Sequence, residues 1–171
     1  MECAVRFDHV TMAFPGVLAN DDISLEIRPG EVYALVGENG AGKSTLMNLL
    51  YGIHTPTEGD IYIKGQKLER HTSGEAIEKG VGMVHQHFML IPSFTVAQNI
   101  VLSREPRKWK VFCDRKAAID RALAISEEYG LAVDPTAIVG ELSIGLQQRV
   151  EILKALYRGA DILILDEPTA V

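Results

Sequence analysis

The chain has 171 residues, of which 47% are hydrophobic and 23% charged, so disordered and low-complexity classes are excluded and a folded core is expected. With 17 basic and 23 acidic residues the net charge is −6, so there is no sign of a generally basic surface and we expect no nucleic-acid partner. Cys3 and Cys113 lie far apart without metal-ligand spacing, which is typical of a reducing compartment. No apolar run approaches the ~20 residues of a membrane helix, so any work at a membrane requires a partner.

Three segments alternate between apolar and polar residues, at 5–10, 21–31 and 59–66. This period of two is typical of strands with one covered face. We therefore expect antiparallel strands that cover one flank of the domain.

Two other segments, 32–37 and 161–167, are continuous apolar runs, and 81–86 is a shorter run of the same type. Such runs indicate strands of a parallel sheet that is covered on both faces. Because the chain stops directly after such a strand, we interpret it as an N-terminal fragment of a longer protein.

Two helices are predicted in the second half of the chain. The first begins after Asp114 as N-cap, continues through Tyr129 and stops at Gly130. The second runs from about Gly145 to Arg158. Its apolar stripe consists of Leu146, Val150, Leu153 and Tyr157. Its other, polar face carries Gln147, Glu151, Lys154 and Arg158.

Residues 37–45, GENGAGKST, fit the pattern G-x-x-x-x-G-K-[ST] between an apolar strand and an amphipathic segment. Glycines let the backbone fold around phosphate, while loop N–H groups and the helix N-terminus supply positive potential. Lys43 is placed to reach the β- and γ-phosphates and the Ser44 hydroxyl to hold Mg²⁺. The predicted nucleotide-binding residues of this loop are Gly37, Asn39, Gly40, Ala41, Gly42, Lys43, Ser44 and Thr45.

The apolar run at 162–165 ends in two adjacent carboxylates, Asp166 and Glu167. Neighbouring strand residues point to opposite sides, so the two carboxylates cannot share one task. Asp166 suits a role at Mg²⁺, either as a direct ligand or through another ligand, and Glu167 could polarise the attacking water. A solvated strand end is the alternative, but the phosphate loop upstream favours the functional interpretation.

Residues 142–156, LSIGLQQRVEILKAL, resemble the signature segment of ATP-binding-cassette (ABC) ATPases, and so do the phosphate loop, Gln86 and the DEPTA segment. The resemblance implies that Phe14 stacks on adenine. It also implies that Gln86 couples ATP to the transport domains and joins Ser44 and Asp166 as a Mg²⁺ ligand. The predicted catalytic residues are Lys43, Gln86 and Glu167.

In the same family, the residues corresponding to Ser143 and Gly145 contact the γ-phosphate of the nucleotide on a partner cassette. A hydroxyl and free N–H groups at a helix N-terminus suit that task. The signature departs from the common LSGGQ form at Ile144 and Leu146. We therefore assign no nucleotide contact to Leu146.

This signature variant, together with the segments 81–102 and 155–171, resembles the ATP-binding subunits of bacterial simple-sugar or nucleoside importers. Those subunits typically carry two cassettes in tandem, and this chain resembles most of the first. The resemblance implies an α/β P-loop NTPase fold with a RecA-like parallel core, an antiparallel β flank and an α-helical insertion, truncated at the C-terminus. The implied cofactors are ATP and Mg²⁺.

The predicted domain is an incomplete nucleotide-binding domain over 1–171. It divides into a β flank with the phosphate-loop core (1–91), a helical subdomain with the signature (92–158) and the Asp166 strand (159–171). The implied partners are transmembrane permease subunits, a second cassette and, indirectly, an extracytoplasmic solute-binding protein. The subunit would lie at the cytoplasmic face of the cell membrane and couple ATP hydrolysis to solute uptake.

Two alternatives stay open at this stage. One is a soluble cassette ATPase acting on ribosomes or DNA, although neither zinc-binding cysteine pairs nor strongly basic arms occur here. The other is a fragment that binds nucleotide without turnover. By resemblance, further core strands follow the DEPTA segment in this family, so we expect residues 1–171 alone to bind ATP weakly and not to hydrolyse it catalytically.

Overall fold

A computed structural model describes residues 3–85, 88–108 and 112–166 of the chain. The chain forms two compact units, residues 1–81 and residues 82–171. The division predicted from the sequence, with boundaries after residues 91 and 158, stays a prediction.

The first unit is built on an antiparallel sheet. Its elements are β1 (Val5–Phe14), β2 (Val17–Ile27), α1 (Lys43–Leu50), β3 (Glu58–Ile63), β4 (Gln66–Lys67) and α2 (Ser73–Glu78). The strands lie in the order β2-β1-β3-β4, and every neighbouring pair is antiparallel. The three alternating segments of the sequence are thus confirmed as neighbouring strands of one flank.

The core of this unit follows from the alternation. Side chains of β1 and β3 that point to one face are buried, and the leucines of α1 are buried with them. The buried set includes Val5, Phe7, Val10, Ile61, Ile63, Leu46, Leu49 and Leu50. Burial of each such side chain contributes roughly 1.5–3 kcal/mol of hydrophobic free energy.

One prediction for this unit is wrong. Residues 32–37 were expected to form a covered core strand, but the structure assigns no strand between residues 28 and 42. Val32 is 98% exposed and Val36 is 93% exposed. The physical reason is that an apolar run forms a strand only when a neighbour pairs with its N–H and C=O groups. No strand within the described ranges pairs with this segment.

Two ionisable side chains of the first unit have shifted pKa values, one in α2 and one just before it. The Glu75 carboxylate is buried and accepts the N–H groups of Glu69 and Arg70 at 2.9 and 2.7 Å. Burial, the largest influence, raises the pKa of Glu75, but these hydrogen bonds outweigh it and the net pKa is lowered. Burial lowers the pKa of His71 below its ordinary 6.5, and among the described residues its buried Nδ1 atom has no hydrogen-bond partner.

The second unit combines a small sheet with helices. Its elements are β5 (Val81–Val84, which starts at the boundary), α3 (Val96–Val101), β6 (Arg107–Lys108), β7 (Phe112–Cys113), α4 (Arg115–Glu128), α5 (Ile144–Tyr157) and β8 (Ile162–Leu165). β5 and β8 pair as a two-stranded parallel sheet. The apolar runs at 81–86 and 161–167 are thus confirmed as strands over most of their length. The expectation that both are covered on both faces is wrong for β8, because Leu163 is 37% exposed and Leu165 is 43% exposed.

Helices α3, α4 and α5 pack around one hydrophobic cluster. Its buried members are Val96, Ala97, Ile100, Ala122, Ile125, Val139, Val150 and Leu153. A capping box starts α3, since Thr95 Oγ1 accepts the Gln98 N–H and Gln98 Oε1 accepts the Thr95 N–H.

Both predicted helices are confirmed. Asp114 caps α4 by accepting the Ala117 N–H at 3.0 Å, and the chain leaves the helix through Gly130 at φ +65°. The apolar stripe of α5 is covered at Val150 and Leu153.

The polar face of α5 is only partly in contact with solvent. Glu151 is only 5% exposed and Lys154 only 6%. Helical periodicity shows which residues share a face, but tertiary packing decides whether that face meets water.

The fold class expected from the sequence is confirmed: an α/β cassette with an antiparallel flank and a helical part. Within the described ranges, no helix combines the length and the apolar character that crossing a bilayer demands.

Candidate nucleotide-binding site

The glycine-rich loop curls back on itself before α1. The Ala41 N–H donates to the Glu38 carbonyl at 3.2 Å, and Gly40 and Gly42 have φ of +85° and +81°. Both values lie in the left-handed region that glycine adopts without strain. The loop residues Gly37, Asn39, Gly40 and Ala41 are exposed.

Gly42 is the N-cap of α1 and provides no side-chain cap, so the positive end of the helix dipole can attract an anion here. Lys43 is the first helical residue, and its Nζ donates to the Gly37 and Glu38 carbonyls at 2.8 and 2.7 Å. The ammonium therefore lies across the loop, where a phosphate oxygen can replace either carbonyl. Ser44 is exposed and Thr45 half-buried in the first turn.

Asn20 of β2, which the sequence reasoning did not single out, fixes this loop to the sheet. Its Nδ2 donates to the Gly42 carbonyl at 3.2 Å, and that carbonyl also accepts the Leu46 N–H at 2.9 Å. A Cβ atom on Gly42 would lie 2.2 Å from the Ala19 carbonyl oxygen. Asn20 is a buried polar residue in a strand, which is the signal that could have identified it.

Phe14, the predicted adenine platform, lies at the end of β1 and is 37% exposed. The His54 ring contacts it edge-on, with ring centroids 5.4 Å apart. The Ala13 N–H donates to Thr57 Oγ1 at 3.0 Å and fixes the end of the strand. Phe14 thus has a partly open face in the same unit as the phosphate loop, as stacking requires.

In the second unit, Asp166 directly follows β8. Its N–H donates to the Val84 carbonyl at 3.1 Å, and the residue is half-buried. The predictions for Gln86 and Glu167 lie outside the described residues and stay predictions.

The predicted signature residues lie at the start of α5. Ser143 is the exposed N-cap, and its carbonyl accepts the Leu146 and Gln147 N–H groups at 2.9 and 3.0 Å. Gly145 is exposed and faces open space, and the Ile144 side chain is also exposed. Main-chain N–H groups at this helix N-terminus are therefore accessible to an anion, as the resemblance implies.

The residues present fit the expected cofactor. A polyphosphate needs a cation, a helix N-terminus without a side-chain cap and a backbone without side-chain bulk, and Lys43, α1 and the exposed glycines supply these. Mg²⁺ usually takes one or two protein oxygens and completes its shell with water and substrate phosphates. The hydroxyl of Ser44 and the carboxylate of Asp166 are donors of that kind.

The curled glycine loop, its lysine and the uncapped helix define a phosphate-binding-loop protein. Comparison with known families narrows this class. The model of the ABC transporter family matches residues 20–170, and the chain belongs to that family.

Individual relatives are similar over the whole chain. Identity is 53% over 171 residues to the guanosine import ATP-binding protein NupO of Bacillus subtilis (strain 168), covering 100% of this chain and 33% of that protein. A ribose import ATP-binding protein of Rubrobacter xylanophilus is 49% identical over 170 residues, covering 99% and 34%. The chain thus spans about a third of the length of these relatives.

Among solved structures, the chain is similar to the crystal structure of a nucleotide-free ATP-binding cassette from an ABC transporter, with a TM-score of 0.84 and 26% identity. The match covers 99% of this chain and 70% of that one. The likeness in fold therefore extends over both units.

Proposed function

We propose that the chain is the nucleotide-binding part of an importer's ATP-binding subunit, which couples ATP hydrolysis to uptake of a nucleoside or a simple sugar. The observation that carries the proposal is the phosphate loop. Its lysine lies across the loop, next to a helix N-terminus without a side-chain cap, in a chain of the ABC transporter family.

The loop residues bind and orient the triphosphate. Lys43 exchanges its carbonyl partners for β- and γ-phosphate oxygens, and the first N–H groups of α1 hold the same phosphates. Phe14 stacks on the base, which fixes the other end of the nucleotide.

The acidic residues serve the hydrolytic step. Ser44 and Asp166, with Gln86, would hold Mg²⁺, which when bound neutralises charge on the transferring phosphoryl group. Glu167 orients the attacking water and accepts its proton at the carboxylate. Most of the rate enhancement would then come from positioning and electrostatic stabilisation.

The signature end of α5 serves a second cassette. Ser143 and Gly145 are exposed at a helix N-terminus, so they are available to the γ-phosphate of a nucleotide bound by that cassette. We place the subunit at the cytoplasmic face of the membrane, bound to permease subunits. An extracytoplasmic solute-binding protein would deliver the solute to them.

The substrate class rests on the relatives. One is named for guanosine import and another for ribose import. Guanosine contains a ribose ring, so the solutes named for these two relatives share that sugar. Specificity would lie in the permease and the solute-binding protein rather than in this chain.

Glu167→Gln in the complete protein tests the proposal. Because the amide can hold water but cannot accept its proton, we expect ATP binding to persist while hydrolysis slows roughly 100-fold or more. Glu128→Gln, an exposed carboxylate at the end of α4, is the matched control and keeps its turnover. Wild-type hydrolysis by Glu167→Gln would remove this residue from the mechanism.

A further inference from the structure

Helix α5 buries two opposite charges on the face that the sequence marks as polar. Lys154 Nζ and Glu151 Oε1 lie 3.2 Å apart, and both side chains are more than nine-tenths covered. Removing two charges from water costs free energy that their attraction does not reliably return, so a buried ion pair is weak evidence for a stabilising role. The pair therefore calls for a further explanation.

The pair has a main-chain partner. Lys154 Nζ donates to the Met89 carbonyl at 2.5 Å. Met89 lies only three residues after Gln86, and its own side chain is 64% exposed. Lys154 thus fixes the backbone of a residue whose side chain faces outward.

Neighbouring contacts fix the same short segment. The buried side chain of Asn99 in α3 accepts the Ile91 N–H at 2.8 Å and donates to the Ile91 carbonyl at 3.1 Å. Between these anchors, Leu90 packs against the hydrophobic cluster of the helices. Residues 89–91 are therefore attached to the helices one after another, and Lys154 holds the first of them, Met89.

The same helix begins at the signature. Ser143 is the N-cap of α5, and Lys154 lies eleven residues further along the helix. At a rise of 1.5 Å per residue, Ser143 and Lys154 lie about 16 Å apart along the helix axis. One helix therefore joins the signature to the backbone at Met89, and a displacement of the signature end would reach Met89 through it.

We propose that Lys154 is a positioning residue for transport coupling, which acts by fixing the backbone at Met89 to the signature helix. The inference rests on the proposed function. In it, the γ-phosphate contacts Ser143 and Gly145 at one end of α5. Lys154 carries the resulting displacement to the segment after Gln86, whose exposed Met89 side chain faces the permease.

The test replaces the pair rather than one partner, because a single apolar substitution would leave an uncompensated buried charge. The double variant Lys154→Met with Glu151→Leu has similar volume and removes the donor to Met89. ATP hydrolysis is measured for the free complete protein and for the protein reconstituted with its permease in liposomes. We expect free-protein hydrolysis and nucleotide affinity to stay within about twofold, while stimulation by the permease falls roughly tenfold, as for loss of one charge-assisted hydrogen bond.

Conservative variants separate positioning from stability. Lys154→Arg keeps a charged donor and should retain most of the stimulation. A second double variant, Lys154→Gln with Glu151→Gln, also removes both charges. It replaces the apolar double variant in the same measurement if that variant does not fold. It should show the same loss, because the shorter side chain does not reach Met89.

Full stimulation in either folded pair would overturn the inference, and so would an equal loss of hydrolysis in the free protein. A failure of the proposed function looks different. In that case the wild-type protein neither hydrolyses ATP nor responds to the permease.

Discussion

Replacing Gly42 by alanine tests the geometry of the phosphate loop most sharply. Gly42 has φ of +81°, and a Cβ atom there would lie 2.2 Å from the Ala19 carbonyl oxygen and 2.8 Å from Asn20 Nδ2. The first neighbour is backbone of β2, which cannot rotate away. The substitution must therefore displace the loop from the sheet.

The expected free-energy cost of Gly42→Ala has two contributions. A non-glycine residue in the left-handed region costs roughly 1–2 kcal/mol. Loss of the Asn20–Gly42 hydrogen bond adds about 1 kcal/mol. The sum of about 2–3 kcal/mol corresponds to a roughly 30- to 150-fold weaker nucleotide affinity if the strain must be relieved before ATP binds.

Titration with a fluorescent ATP analogue measures this affinity. Gly130→Ala is the matched control, because Gly130 also has a positive φ of +65° but nothing lies within 4 Å of the added methyl group. We expect Gly130→Ala to lower the thermal midpoint slightly and leave affinity unchanged. If Gly42→Ala binds nucleotide as tightly as Gly130→Ala does, the close approach of loop and sheet is not part of the site.

Three further changes probe the site and the fold. Lys43→Ala should weaken ATP binding about tenfold or more, because the loop loses its charged donor to phosphate, and unchanged affinity in the same titration would exclude the loop as the site. Phe14→Ala should weaken adenine nucleotides roughly tenfold while Phe14→Tyr does not, since the tyrosine keeps the aromatic face; a loss of inorganic triphosphate binding of the same size would argue against stacking. His71 has a lowered pKa in the folded state, so the folded state binds fewer protons than the unfolded one, and the free energy of unfolding should fall as the pH drops below about 6.5. Denaturant titrations between pH 7.5 and 5 should show a weaker dependence for His71→Asn, whose side chain tolerates the positive φ at this position; an unchanged dependence would mean that His71 does not cause it.

Local patterns predict much of this fold. The alternating strands, the helix from Asp114 to Gly130 and the start of α5 depend on residues close in sequence, and the structure confirms them. The phosphate loop is predictable for the same reason, because its glycines and Lys43 act within nine residues.

Long-range contacts explain what sequence reasoning missed. The apolar run at 32–37 predicts a core strand. A strand also needs a neighbouring strand to pair with, and the sequence pattern does not show whether one is present. The burial of Lys154 and the contact between Asn20 and Gly42 also depend on distant segments. Helical spacing placed Lys154 on the correct face but did not show what covers that face.

Hydrogen exchange of the complete protein, with and without Mg-ATP, tests the central claim most directly. Phosphate bound at the loop would engage main-chain N–H groups of residues 42–45, so we predict slower exchange in peptides that contain them. At an ATP concentration near the wild-type Kd, Lys43→Ala should lose most of this protection, because its affinity is about tenfold weaker or more. ATP-dependent protection confined to other peptides, with none at residues 42–45, would contradict the account.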